Sequence, residues 1–553
     1  MNIRFLEGQA GDPLQERRNA LAKTAAILAA DAIAPYEAAA SVSYRSGGRT
    51  LVVGSSLQAL AWAEHLATSL PVTLLLLDNV DVGERLYPVF VARTVAVAGW
   101  LGAFEARWQA PGQPAQQGKF DLVFDLSPSP LISTHQHPHG YYAPGPEEAA
   151  RRAAAAEMME MTGDFEKPKY FAYKERLCAH SRNGLTGCNA CIEICSAKAI
   201  VSDGDRVKVN PYLCAGCGAC GTVCPTGAMS YNFPSPAHTG SRIKAALRAY
   251  DEAGGQDPVL LFHSEGGAPL IEAAIEGVPG RVIPIALHHT ASTGIDLWLT
   301  ALSYGAAGVT VLMTGAEAPQ YAAALDTQMR VAQAVLDGLG YTGPHFQLLR
   351  ITSPQELAVA LQHAPHGDTP AQPATFNLAQ DKRNTLDYAL DHLFRHARQQ
   401  PDAVPLPAGA PFGAIAVNKQ ACSLCMACVG ACPSSAVMDT PNAPQLRFVE
   451  QNCVQCGLCA NTCPENAITL VPRMAFGETR KQTVLLNESQ PFHCISCSKP
   501  FGTLHMIENM LSKLSQHGAF AGNLDRLKMC GDCRVIDMMQ PEGELTVPLR
   551  RPR

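Results

Sequence analysis

Four tight cysteine cassettes hold sixteen of the twenty cysteines in this chain of 553 residues. Three run Cys-x2-Cys-x2-Cys-x3-Cys-Pro: Cys214, Cys217, Cys220 and Cys224 before Pro225; Cys422, Cys425, Cys428 and Cys432 before Pro433; Cys453, Cys456, Cys459 and Cys463 before Pro464. The fourth is stretched, with nine residues between Cys178 and Cys188, then Cys191, Cys195 and, in place of proline, Ser196. Thiolates are soft ligands that suit iron–sulfur groups or zinc. A four-cysteine run closed by Cys-Pro is the spacing that holds 4Fe-4S cubanes, and zinc sites lack it. Such a chain has to fold around inorganic groups.

Two residues between cysteines let a short loop aim successive sulfurs at different irons of one cubane. The fourth cysteine ligates the neighbouring cluster, so these motifs come in pairs. It is expected on the first turn of a helix, facing away from the other three. Eighteen residues separate Cys195 from Cys214 and twenty separate Cys432 from Cys453, room in each case for a short β-hairpin. The crossing assigns Cys178, Cys188, Cys191 and Cys224 to one cluster and Cys214, Cys217, Cys220 and Cys195 to a second. In the other pair, Cys422, Cys425, Cys428 and Cys463 share a cluster, as do Cys453, Cys456, Cys459 and Cys432. Cys178 keeps its place because no other unassigned cysteine lies near it in sequence. Each pair resembles a bacterial two-cluster ferredoxin, over Cys178–Pro234 and Asn418–Pro472. The resemblance implies four 4Fe-4S clusters, electron transfer, and no catalytic acid, base or nucleophile.

The four remaining cysteines form two knuckles, Cys494-x2-Cys497 and Cys530-x2-Cys533, thirty-two residues apart. Four thiolates so arranged make the closed tetrahedral site of structural Zn²⁺. A further iron–sulfur cluster and unbridged thiols are the alternatives. Cys494-Ile-Ser-Cys497-Ser-Lys-Pro-Phe looks like a zinc-knuckle turn, with the adjacent His493 read as a surface residue. Between the knuckles, Thr503–His517 reads as an amphipathic helix with Leu504, Ile507, Met510, Leu511 and Leu514 on one stripe.

The chain is 47% hydrophobic and 17% charged, with a net charge of −6. That balance argues against a nucleic-acid partner, which requires a concentrated basic face, and the basic end Leu549–Arg553 reads as a solvated tail. Cysteines in cluster spacing point to a reducing compartment. The start of the chain has no apolar signal core, and no apolar run approaches a membrane span. The expectation is a cytoplasmic protein without direct membrane insertion.

The parts around the cysteines read as α/β. Thr50–Gly54 is a short apolar strand, followed by an Ala/Leu-rich helix from about Leu57 to Leu70 and a second strand, Val72–Leu77, ending at Asp78. This is the order of a dinucleotide-binding unit, with Gly54 at the turn and Asp78 placed for a ribose. The fingerprint is degraded, because Ser56 stands where a glycine would let pyrophosphate approach. The stretch resembles the nucleotide-binding start of flavoprotein subunits such as heterodisulfide reductase, a likeness that Thr94–Trp108 and Phe120–Asp125 extend. A vestigial docking fold is the expectation, without flavin or NAD. His135, His137 and His139 alternate in a loop and read as solvated or hydrogen-bonded. A helix over Glu147–Thr162 leads to the first cysteine pair.

The cysteine-free region Thr239–Gln362 alternates strands at Val259–Phe262, Val282–Ala286 and Gly308–Met313 with helices, which predicts a small parallel sheet. Leu297–Ala306 with Gly308–Met313 resembles the delta subunit of methyl-viologen-reducing hydrogenases. That likeness implies docking between redox proteins, without a cluster of its own. Ser264, His288 and His289 sit at strand ends and form no catalytic set. Pro/Gly-rich stretches at His366–Pro373 and Pro401–Pro411 bracket a helix over Gln380–Arg398 and mark a boundary.

The expected architecture is α/β multidomain. It comprises a degenerate Rossmann-like domain over 1–145, a first α+β ferredoxin-like module over 165–236 and a small parallel α/β domain over 239–365. A linker with one helix spans 366–412, a second ferredoxin-like module 413–473, and a zinc-knuckle-like four-cysteine segment 484–553. Cys178-Ala-His-Ser-Arg182, Cys214-Ala-Gly-Cys-Gly-Ala-Cys220 and Lys528-Met-Cys-Gly-Asp-Cys-Arg534 resemble the iron–sulfur proteins encoded with bacterial formate dehydrogenases. This resemblance implies a redox donor and acceptor, formate dehydrogenase among them. Its alternative is a maturation factor for a molybdenum or tungsten formate dehydrogenase.

Overall fold

The computed structural model describes residues 13–79, 83–110, 112–441, 443–515 and 524–539. His517 and the Leu549–Arg553 tail lie outside the described residues, as do the first twelve. The chain divides into two compact units, one of Met1–Cys178 with Asn189–Gln400, the other of Ala179–Cys188 with Pro401–Arg553.

In the first unit, one sheet runs in the order 89–91, 72–76, 50–54, 122–125, 141–142, and every pairing in it is parallel. Leu51, Val52, Val53, Leu74, Leu75 and Leu76 are wholly buried. Strands covered on both faces need such unbroken apolar runs, which is why these read clearly in the sequence. The helix after the first strand spans Ser56–Leu66. An antiparallel meander of Thr94–Ala98, Phe104–Gln109 and Gln116–Phe120 is inserted before the fourth strand.

A second parallel sheet takes the order Val282–Ala286, Val259–His263, Gly308–Met313, Phe346–Arg350. Helix Ile295–Ser303 is buried along its length, with Trp298 fully enclosed. The stretch 366–376 is fastened to this unit, with the Ala374 amide donating to Ser303 O and Lys244 Nζ to Phe376 O.

Helix Pro13–Asp31 joins the same domain. Its buried face is Asn19, Ala22, Ala26 and Ala30, and Lys23 Nζ donates to Pro279 O at 2.8 Å. Small residues let the backbones approach closely. A Cβ at Gly280 would sit 2.5 Å from Ala20 N and 2.8 Å from the Asn19 carbonyl carbon. Gly280→Ala is therefore expected to destabilise the first unit by about 1–3 kcal/mol through overpacking, read by thermal unfolding.

The second unit holds two three-stranded sheets. Ile468–Ala475 lies between Ala403–Pro405 and Gly413–Val417, and Ala443–Val449 lies between Val437–Thr440 and Thr483–Glu488, all antiparallel. Beyond them come a hairpin of Pro491–His493 with Pro500–Thr503 and helices Leu504–Leu514, Leu524–Leu527 and Gly531–Met539. The excursion 179–188 packs here, with Asn461 Nδ2 donating to Thr186 O. Among the described residues, no helix is long and apolar enough to cross a membrane.

Candidate metal centres

The cassettes share one local fold, and it corrects an expectation. The third cysteine, not the fourth, lies in a short helix: Ala190–Ile194, Ala219–Val223, Ala427–Ala431 and Leu458–Thr462. Cys195, Cys224, Cys432 and Cys463 follow directly, with extended backbone. Where proline comes next, it bars the preceding residue from the helical region, so the helix stops before the fourth cysteine.

Left-handed residues repeat with the same regularity. In the three regular cassettes they flank the second cysteine: Gly216 and Gly218, Leu424 and Met426, Gln455 and Gly457. Another stands three residues past each fourth cysteine, at Lys198, Gly227, Ser435 and Asn466. A non-glycine residue there costs roughly 1–2 kcal/mol. The return is a backbone amide aimed at sulfur. Ala199 N lies 3.3 Å from Cys195 Sγ, Met229 N 3.4 Å from Cys224 Sγ, Ala436 N 3.3 Å from Cys432 Sγ and Ala467 N 3.3 Å from Cys463 Sγ. Such donors stabilise negative charge on a ligating thiolate.

Cys195, Cys214, Cys217 and Cys220 line one cavity with Tyr170, Phe171, Ile200 and Tyr231. Burial pushes the Cys217 thiol up to about 11 and Cys220 well above its ordinary value, with the charges of neighbouring cysteines adding to the effect at both. In the second unit, burial and then Cys422, Cys425 and Cys463 push Cys428 up to about 12. Cys459 rises to about 12 through burial and then Cys453, Cys456 and Cys432. Thiols so crowded cannot all ionise unaided, because each buried charge raises the cost of the next. A bound cation removes that cost, and a coordinating thiol is deprotonated outright. The residues present fit iron–sulfur clusters.

The remaining cassette is divided. Cys178 and Cys224 are buried beside Phe171, Ile200 and Val207, with Cys191 at the edge of this apolar core, and the Tyr173 hydroxyl bonds to Cys178. Cys188 belongs to the second unit, where its amide donates to Ala179 O at 2.9 Å and its charge bears on Cys456.

Several residues around these sites carry no sequence signal. Lys167 is buried, and its ammonium donates to Tyr212 O at 2.9 Å and Cys214 O at 2.8 Å. Tyr231 Oη donates to Gly216 O at 2.9 Å, and Gln455 Nε2 donates to Cys453 Sγ at 3.3 Å. Lys382 Nζ donates to Gly221 O at 3.1 Å. All are distant in sequence from what they support, except Gln455 inside its own cassette.

The last four cysteines converge. The sulfurs of Cys494, Cys497, Cys530 and Cys533 all lie within 4.8 Å of one another, and Cys497 and Cys530 are 3.7 Å apart. Zn–S bonds of about 2.3 Å in a tetrahedron set sulfurs about 3.8 Å apart. Cubane thiolates, one on each of four irons, stand farther apart, so this set fits a single metal ion. Burial works against ionisation of Cys494, but the amides of Cys530, Cys497 and Ser496 outweigh it and bring that thiol down to about 6.

Other sequence candidates are placed differently. Gly54 ends a buried strand, and a Cβ there would meet Ala59 Cβ at 2.9 Å and Leu126 Cβ at 3.0 Å, a packing reason for glycine. Asp78 is half-buried in the bend after Val72–Leu76. The three alternating histidines go separate ways: His135 Nε2 lies 3.0 Å from Ala316 O, while His137 and His139 pack edge-on against Tyr141 and Tyr44. His288 stacks on Tyr170, and His289 Nδ1 accepts from the Ala291 amide at 3.0 Å.

The class follows from this geometry together with two family matches. Residues 186–228 and 421–468 each match a family described as "4Fe-4S dicluster domain". The chain carries two ferredoxin-type iron–sulfur domains, and the first match begins after Cys178. Among curated relatives, a ferredoxin of Saccharopolyspora erythraea is 37% identical over 65 residues, 12% of this chain and 61% of that protein. A ferredoxin of Streptomyces griseus is 34% identical over 65 residues, 12% of this chain and 62% of that one. Hydrogenase-4 component A of Escherichia coli (strain K12) is 38% identical over 90 residues, 16% of this chain and 39% of that protein. The chain thus spans less than two thirds of the length of each.

Proposed function

We propose that this chain is an electron-transfer protein with four 4Fe-4S clusters, passing electrons between a donor and an acceptor protein. The observation that carries the reading is the crossed neighbourhood of the cysteines. Cys195 shares a cavity with Cys214, Cys217 and Cys220, the charge of Cys463 bears on Cys428, and that of Cys432 bears on Cys459. Cys178, Cys191 and Cys224 hold the remaining cluster of the first pair, with Cys188 assigned to that set by spacing alone. When bound, each cubane accepts and releases one electron. The protein's own residues hold sulfur charge with backbone amides and bury the ligands from water.

The parallel sheet whose order reverses between strands 50–54 and 122–125 supports a Rossmann-like domain. The tight packing at Gly54 favours a docking role for that domain over a nucleotide site at Gly54 and Asp78. The resemblances in the sequence point to a formate-dehydrogenase-type complex as the process served, in the cytoplasm. The last four cysteines hold Zn²⁺. Protein purified without oxygen should contain about sixteen iron atoms and about one zinc, and its reduced form should pass electrons to a formate-dehydrogenase-type acceptor. About eight iron atoms at most would leave half the proposed clusters unbuilt and end this reading.

A further inference from the structure

Ser196 is the one departure from Cys-Pro among the four cassettes, and the structure gives it a use. Its buried hydroxyl lies 2.9 Å from Gln136 Oε1 and bonds to the Tyr321 hydroxyl. Tyr321 stands near the start of helix Pro319–Gly338, in the domain that has no cysteines, and is 1% exposed. Its hydroxyl also bonds to the Cys217 thiol. Gln136 and Ser196 line the same cavity as Cys217, so three segments distant in sequence meet beside one ligand. A proline at 196 would have no hydroxyl to join them.

The direction of these bonds follows from the acceptor. A metal-bound thiolate has no hydrogen to give, so the phenol must donate to it. Ser196 has one hydrogen and two acceptors in reach, Gln136 Oε1 and Tyr321 Oη, and giving it to Tyr321 strengthens the phenol as a donor. A phenol keeps its hydrogen at neutral pH.

We infer that the Tyr321 hydroxyl, oriented by Ser196, raises the reduction potential of the cluster assigned to Cys195, Cys214, Cys217 and Cys220. This rests on the proposed assignment of Cys217 to a cluster. An added electron increases negative charge on the sulfurs, so a hydrogen bond to one of them is stronger in the reduced state. The backbone amides found at all four cassettes act on every cluster alike. Tyr321 adds to them at this one cluster, as Gln455 does at Cys453 of another.

The test is a potentiometric titration of the anaerobic holoprotein followed by electron paramagnetic resonance, comparing native protein with Tyr321→Phe and Ser196→Ala. Tyr321→Phe should retain full iron and shift one cluster about tenfold toward the oxidised form, about 59 mV for one electron. Ser196→Ala should shift the same cluster less and in the same direction. Full iron with every potential unchanged in Tyr321→Phe overturns the inference. If that variant loses iron instead, Ser196→Ala decides, because it leaves the tyrosine ring in place: a lowered potential supports the role and an unchanged one removes it. Native protein that binds no clusters would overturn the proposed function instead.

Discussion

Replacing Cys432 and Cys453 together by serine is expected to remove one cluster, about four iron atoms, from the second dicluster domain. Replacing Cys432 and Cys422 together is expected to remove two. The difference comes from the crossing. Cys459 feels Cys453, Cys456 and Cys432 ahead of Cys428, whereas Cys428 feels Cys422, Cys425 and Cys463. Cys432 thus stands with the later cassette although it ends the earlier one. Two substitutions in one ligand set damage the same cubane, and the second adds little. Substitutions in two sets damage two, so the deficits add.

Both double variants contain Cys432→Ser, so they differ only in the companion substitution, at Cys453 or at Cys422. Iron and labile sulfide per chain, measured after anaerobic purification, separate the outcomes. The reverse pattern, two clusters lost with Cys453 and one with Cys422, would mean that each cassette holds its own cluster, and the crossed assignment would fail. Stability should follow the iron, because Cys428, Cys453 and Cys459 lie in the same small core as Ile415, Leu424, Val437, Leu446 and Phe448.

What was legible in the sequence follows from how local each signal is. Cubane ligands lie a few residues apart, so the cassettes and the hairpins between them could be read directly, and the hairpins fall at Ile200–Val209 and Val437–Val449. The helix register within a cassette was misjudged although Pro225, Pro433 and Pro464 held the clue. Parallel strands stood out because burial on both faces demands runs such as Leu-Val-Val at 51–53. Helix Pro13–Asp31 did not, because the face it buries is three alanines and an asparagine, with no strong apolar stripe. Tyr321, Lys167 and Gln136 reach their sites only through the tertiary fold. No spacing rule could connect residue 321 to residue 217, and only the odd Ser196 hinted that something other than proline was needed there.

Removing the metal proposed at Cys494, Cys497, Cys530 and Cys533 is expected to unfold residues 491–515 and 524–539 while the dicluster core over 413–475 stays folded. Among the described residues, little else holds this segment together. In helix Leu504–Leu514 only Ile507 is buried, and helices Leu524–Leu527 and Gly531–Met539 bury no residue. Val535, Ile536, Met538 and Met539 are exposed. One enclosed isoleucine contributes about 1.5–3 kcal/mol. A structural zinc on thiolates contributes about 10–16 kcal/mol in small metal-dependent domains. The links to the dicluster domain are few: Thr503 Oγ1 donates to Ser423 O at 2.9 Å, His505 Nε2 lies 2.7 Å from Gln420 O, and Lys513 pairs with Glu465 at 2.9 Å. An exposed ion pair of that kind adds about 1 kcal/mol at most. Cys530→Ser should therefore give rapid amide exchange and new protease cleavage across 491–515 and 524–539, with cluster absorbance and iron content near native. A zinc chelator at a dose that spares the clusters should do the same to the native chain. Native-like protection of 491–515 and 524–539 in Cys530→Ser would show that packing holds the segment without the ion. Two of the links grip residues 420 and 423, which lie just before the exposed Cys425. Loss of the segment should therefore also hasten oxidation of the cluster assigned to Cys425 in air, a slower effect that follows the unfolding.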